Sequence, residues 1–149
     1  MTPPAGTITI AGKNVSRLGF GTMRLTGPGT WGHPDDFETA VSVLRQAVHT
    51  YGITHIDTAD AYGPHTAELL VRHALYPYPD DLLIATKVGM VRPAPDVWAP
   101  HGHPVYLRAI VKTCGLMLDQ GIGLVPRRMS PGLKWRSSDP GPVRTRRAP

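Results

Sequence analysis

The chain has 149 residues, 41% apolar and 18% charged, which fits one globular domain and excludes a disordered chain or two full domains. The formal charge of +5 marks no basic binding face, because residues 1–118 hold nine Lys/Arg and nine Asp/Glu while residues 119–149 hold seven and two; the basicity belongs to the tail. No apolar run approaches the roughly 20 residues that cross a bilayer, the first residues lack the pattern of a secretory leader, and Cys114 is the sole cysteine, so a cytoplasmic, reducing location without a membrane partner is expected.

In chain order, Thr7–Ile10 and Lys13–Ser16 read as a β-hairpin turning near Gly12. Arg17–Phe20 is a short apolar strand candidate that runs into Gly21, Thr22 and Met23, and the glycines and prolines from Thr26 to Pro34 make a loop. Asp35 to Tyr51 is the clearest helix. Phe37, Ala40, Val41, Leu44, Ala47, Val48 and Tyr51 fall on one face at helical spacing, and Asp35, Asp36 and Glu38 suit the positive end of its dipole. Ile53–Asp57 reads as a buried strand, Thr66–Leu75 as a second helix bounded by Pro64 and Pro77, and Leu82–Thr86 as the next strand, with Lys87 at its end. Val91–Pro104 is a Pro-rich loop, and Val105–Gln120 has helical spacing with Leu107, Ile110, Val111, Cys114 and Leu118 on one face. Beyond Gly121 the pattern dissolves into Pro, Gly, Ser and Arg. Alternating strands and helices predict βαβ units and a parallel sheet. Periodicity alone suits a (β/α) barrel or an open doubly wound sheet.

Three polar clusters sit where strands end: Gly19-Phe-Gly-Thr-Met23, Ile56-Asp57-Thr-Ala-Asp-Ala-Tyr62-Gly63, and Ile84-Ala-Thr-Lys87. In βα architectures the C-terminal ends of the strands form the active face. Asp57, Tyr62 and Lys87 make a reasoned acid-catalysis unit there. A phenol is by itself too weak an acid to protonate an alkoxide at neutral pH, an ammonium nearby favours its ionised form, and a carboxylate keeps that ammonium charged. Taken singly, Asp57 would orient a turn, Tyr62 would pack, and Lys87 would be a solvated strand-end charge. Their joint order and spacing point to a catalytic site.

With these clusters in this order, Thr7 to about Arg108 resembles the aldo-keto reductase family. The resemblance implies an α/β fold, the N-terminal part of a (β/α)8 TIM barrel. It is cut to about three βα units after an N-terminal β-hairpin that closes the barrel's bottom, and an irregular basic tail follows. Residues 1–120 would be the partial barrel and 121–149 a disordered Pro/Arg-rich tail. The implied activity is NADPH-dependent reduction of aldehydes or ketones by hydride transfer. In that activity Tyr62 is the general acid, Lys87 and Asp57 tune it, and Gly21, Thr22, Met23 and Asp57 lie near the nicotinamide end of NADPH. A small carbonyl compound is the implied partner.

The family's fourth catalytic residue is a histidine ending the next strand. None of His33, His65, His101 and His103 ends an apolar strand, so none is assigned that role. A chain of this kind is expected to show little or no reductase activity by itself. Two expectations follow for the tail: a frame change soon after Arg108 in a reductase gene, or a short protein acting as a binding or interaction module, self-associating through open sheet edges. No metal cluster is expected, since His101-Gly-His103 has no partner residues, and the arginines of the tail lack the aromatic interleaving and fold of a nucleic-acid binder. Cys114 is expected to be a buried structural thiol.

Overall fold

A computed structural model describes residues 5–119; the expected tail, and Gln120, lie outside the described residues. The hairpin forms as expected, with β1 (Thr7–Ile10) antiparallel to β2 (Lys13–Ser16) and Ile10 opposite Lys13. Ala11 and Gly12 both take positive φ, 51° and 78°, as a two-residue turn matched to the strand twist requires.

The sheet that carries the site has three short parallel strands, β3 (Phe20–Gly21), β4 (His55–Asp57) and β5 (Leu83–Ala85), in the order β3-β4-β5. Phe20 is level with Ile56 and Ile84, and Gly21 with Asp57 and Ala85. The strand expected at Arg17–Phe20 is shifted to Phe20–Gly21, that expected at Ile53–Asp57 starts two residues later, and that expected at Leu82–Thr86 is shorter by one residue at each end.

Helix α1 (Phe37–Arg45) is capped by Asp36, whose carboxylate accepts the Thr39 amide at 2.9 Å. The expected single helix to Tyr51 is corrected here. Gln46–Thr50 winds as a π-turn, whose extra residue per turn rotates Tyr51 out of the apolar stripe, leaving it 62% exposed. Ala47 and Val48 stay buried. Helix α2 (Thr66–Leu75) has the expected bounds, and α3 spans Pro104–Leu118. Val41 and Leu44 of α1, Leu70 and Val71 of α2, and Ile56 of β4 form one core with Leu118 of α3. Burying side chains of this size stabilises the fold by about 1.5–3 kcal/mol each.

The Pro-rich loop is also corrected. Within it β6 (Met90–Val91) pairs antiparallel with β7 (Ala99–Pro100). Strands of two residues carry no alternation to read, and Pro100 is tolerated in so short a ribbon because it sits at an edge.

The hairpin packs at the other end of the sheet. Ser16 and Thr54 exchange hydrogen bonds, amide to hydroxyl in both directions at 2.8 and 2.9 Å. Lys13 Nζ donates to the carbonyls of Asp80 and Leu82, each at 2.9 Å. The hairpin therefore meets the N-terminal ends of β4 and β5, and the C-terminal ends face away from it. No helix among the described residues is long and apolar enough to cross a membrane.

Candidate active site

The strand ends prolong their pairing into the loops. The amide of Thr22 donates to the carbonyl of Asp57, that of Thr58 to Ala85, and that of Asp60 to Lys87, at 2.8–3.1 Å. These bonds bring the three polar clusters onto one rim. Lys87 lies just past β5, and its ammonium donates to Asp57 Oδ2 at 2.6 Å and to the carbonyl of Thr58 at 2.8 Å. The same ammonium is 5.1 Å from the centroid of the Tyr62 ring. The structure thus gathers all three expected catalytic residues, from two strand ends and the loop between β4 and α2. The lysine approaches the ring of Tyr62, while its hydrogen bonds go to Asp57 and Thr58.

Local sequence explains why Tyr62 stands where it does. Gly63 takes φ +89°, and a Cβ there would collide with Thr66, so the turn after Tyr62 requires glycine. The Thr66 hydroxyl donates to the carbonyl of Gly63 at 2.6 Å, fastening the turn to the start of α2. On the other side Gly63 is bonded to the loop after β3, its amide donating to the carbonyl of Thr30 and its carbonyl accepting the amide of Gly32.

The residues expected near a nicotinamide divide into two kinds. Gly21 and Met23 are exposed on the rim, and a Cβ added at Gly21 would meet nothing within 4 Å. Open space beside Asp57, its register partner, fits the face of a flat ring. Thr22, by contrast, is fully buried, and its hydroxyl donates to the Asp57 carbonyl at 3.2 Å. Its side chain ties β3 to β4 and holds the rim in place.

Sequence reading missed a second polar group behind the rim. Glu68 is fully buried; one carboxylate oxygen accepts the Thr86 hydroxyl at 2.7 Å and the other meets His65 Nδ1 at 2.9 Å. That bond holds the His65 imidazole above its ordinary pKa. Asp60 is buried beside them with one oxygen unpartnered, and burial, aided by the Glu68 charge, pushes its carboxyl up to about 6. Cys114 is buried, as expected, and its thiol is raised by burial. His65, Glu68 and Cys114 bring three ligand-type atoms within 4.8 Å of one another, a grouping no sequence spacing announced. Both Glu68 oxygens already have protein partners there. Also missed was Arg92, buried between Trp98 and Trp31 in the loops above the rim. The only prior signal was an isolated tryptophan in each of two Pro/Gly-rich loops.

Residues 17–115 match the family model described as the aldo/keto reductase family. The chain belongs to that family. It is 47% identical over 107 residues to pyridoxine 4-dehydrogenase of Escherichia coli, a match covering 72% of this chain and 37% of that protein. It is 48% identical over 104 residues to an uncharacterized oxidoreductase of Schizosaccharomyces pombe, covering 70% and 33%. This aldo/keto reductase chain thus spans about a third of the length of the curated relatives it matches. Among solved structures it is similar to an aldo-keto reductase from Bacillus halodurans in its holo form, with TM-score 0.63, 28% identity, and 76% of this chain and 36% of that one covered. It is likewise similar to the glycerol dehydrogenase of Gluconobacter oxydans, with TM-score 0.66, 30% identity, and 78% and 37% covered. The described residues are accordingly the N-terminal strands of the family's barrel, and among them the barrel is not closed.

Proposed function

We propose that this chain carries the proton-donating part of an NADPH-dependent site that reduces aldehydes or ketones. The observation that supports it is the ammonium of Lys87, held 2.6 Å from Asp57 and 5.1 Å from the Tyr62 ring. Gly21, Met23 and Asp57 would hold the nicotinamide end of NADPH, which would supply the hydride. Tyr62 gives its hydroxyl proton to the carbonyl oxygen as negative charge gathers there, and takes a proton back from water afterwards. Lys87 steadies the phenolate left behind, and Asp57 keeps Lys87 charged. Carbonyl, hydride and proton together make the alcohol. Small carbonyl compounds, not nucleic acids, are the proposed partners, and pyridoxine is the first alcohol to try in reverse because one relative is a pyridoxine 4-dehydrogenase.

Turnover by the chain alone is expected to be slow, because the described residues offer a cofactor one strand end and its neighbour. The test is long incubation at high protein concentration with NADPH and a panel of aldehydes, reading alcohol produced. Alcohol formation that disappears in Tyr62→Phe supports the reading. Formation that survives this substitution removes Tyr62 from the chemistry, and none above buffer removes catalysis by this chain. A second reading has its own observation: β3 and β5 each pair on one side only among the described residues. Open edges favour an interaction module that self-associates, and a concentration-dependent dimer without alcohol formation would select it.

A further inference from the structure

Arg92 directly follows β6, in the long connection between β5 and α3, and it is 8% exposed. Its guanidinium makes four hydrogen bonds, all to backbone carbonyls. Nε donates to Val97 at 2.9 Å, Nη1 to Thr30 and Ala61 at 2.9 Å each, and Nη2 to Gly29 at 2.7 Å. Those carbonyls belong to three loops, the ones that follow β3, β4 and β5. Among the described residues no carboxylate lies within 4.0 Å of it. Its plane covers Trp98, with 3.7 Å from the guanidinium carbon to the ring centroid, and Trp31 lies 5.7 Å away.

The bonds bracket one residue. Ala61, immediately before Tyr62, is held directly. Gly63, immediately after it, donates its amide at 3.2 Å to the same Thr30 carbonyl that receives Arg92. Trp98, stacked under the guanidinium, sets its ring against Tyr62 at 77°, centroids 6.5 Å apart. The Tyr62 ring therefore meets Lys87 and Trp98, while its backbone is fixed before and after by Arg92. A buried cation without a carboxylate is expensive to desolvate. Apolar packing can close loops without that cost, but only a rigid planar fork fixes the direction of several acceptors and stacks on indole as well.

From this geometry we infer that Arg92 is a positioning residue for Tyr62: it clamps the three rim loops and, through Trp98, sets where the phenol stands relative to the Lys87–Asp57 pair. The inference builds on the proposed role of Tyr62, and its test does not depend on turnover. The full chain is prepared with Arg92→Lys, Arg92→Met and Trp98→Phe. Phenolate absorbance is followed against pH, each form being compared with its own Tyr62→Phe counterpart so that Tyr62 alone is read. Lysine keeps the charge but cannot reach the four carbonyls or stack. Arg92→Lys and Arg92→Met are both expected to move the Tyr62 titration by about half a pH unit or more, and Trp98→Phe by less. A shift in Arg92→Met alone would mean that only the charge matters, and no shift in any variant would mean that the clamp does not reach Tyr62; either overturns the inference.

Trp98 supplies a second measurement. In a background where Trp31 and Trp135 are Phe, the Trp98 emission is expected to move to the red in Arg92→Met, and its quenching by acrylamide to rise about twofold. An unchanged spectrum would show that the stack does not exist. Should Arg92→Met not fold, Arg92→Lys and Trp98→Phe still decide the matter. Where the parent chain forms alcohol, Arg92→Lys is expected to lower kcat about tenfold and leave KM within about twofold, the mark of a misplaced proton donor. A parent that forms none refutes the catalytic reading and leaves both spectroscopic arms standing.

Discussion

Lys87 and Arg92 stand five residues apart in the chain that leaves β5, one before β6 and one just after it, and the fold treats them in opposite ways. Lys87 is partly open to solvent: its side chain is 24% exposed, that of its partner Asp57 is 47% exposed, and the two form an ion pair. Arg92 is buried, donates to backbone carbonyls alone among the described residues, and is covered by tryptophan. The cation proposed to act on the phenol of Tyr62 is kept near water beside an anion. A cation that has to hold backbone is dried and given acceptors on every side. Charge type alone would have grouped the two residues; their surroundings separate them.

Exchanging one function for the other is the sharpest test of this contrast. Lys87→Met should lower alcohol formation by about 10²-fold or more, the usual range for losing a group that serves proton transfer. Measured by urea unfolding, the same variant should lose less than about 1 kcal/mol, since a half-solvated pair is screened and weak. A large loss of stability with unchanged turnover would reverse the comparison at Lys87.

Arg92→Met should show the opposite balance in the same urea titration. It takes a donor from four carbonyls, that of Ala61 buried and those of Gly29, Thr30 and Val97 partly buried, and a loss of about 1–3 kcal/mol is expected. A loss below about 1 kcal/mol would mean that water replaces the guanidinium without difficulty, and the clamp would not merit the name.

A smaller effect separates both cations from the carboxylates behind them. Asp60 has a folded pKa raised to about 6 by burial, so its contribution to stability is complete below its unfolded value of about 3.9 and is lost as pH rises through 6. His65 is raised by its bond to Glu68, so its contribution is complete below about 6.5 and is lost above the folded value. Melting temperature should therefore fall in two steps as pH is raised from 4 to 8. Asp60→Asn should remove the lower step and His65→Gln the upper one. A melting curve that rises over the lower window in the parent and is unchanged by Asp60→Asn would contradict the burial assigned to that carboxyl.

What sequence reading could reach followed the length of the signal. Helix α2 was bounded by two prolines and has the bounds read from them. Asp57, Tyr62 and Lys87 could be expected to converge because each sits at a fixed offset from a strand, and the parallel register turns those offsets into one rim. The π-turn after Arg45 was invisible because its residues keep an apolar pattern under either winding until Tyr51. The β6–β7 ribbon offers two residues a side, too few for any period. Arg92 belongs to no local pattern at all. Its partners Gly29, Thr30, Ala61 and Val97 come from three loops, and only the finished sheet brings them together. Glu68 stands in the first turn of α2 with no spacing that marks it, and the partner that comes from another element, Thr86, is met only in the folded chain.

The reciprocal bonds between Ser16 and Thr54 give the hairpin a mechanical meaning. Thr54 begins the run that ends at Asp57, about 10 Å away at the rise of an extended chain, and that short rod is gripped at its foot by Ser16 and at its head by Thr22. Floor and rim are two ends of one strut. The hairpin's seat and the place of the carboxylate that holds Lys87 are thus set along one and the same run of chain.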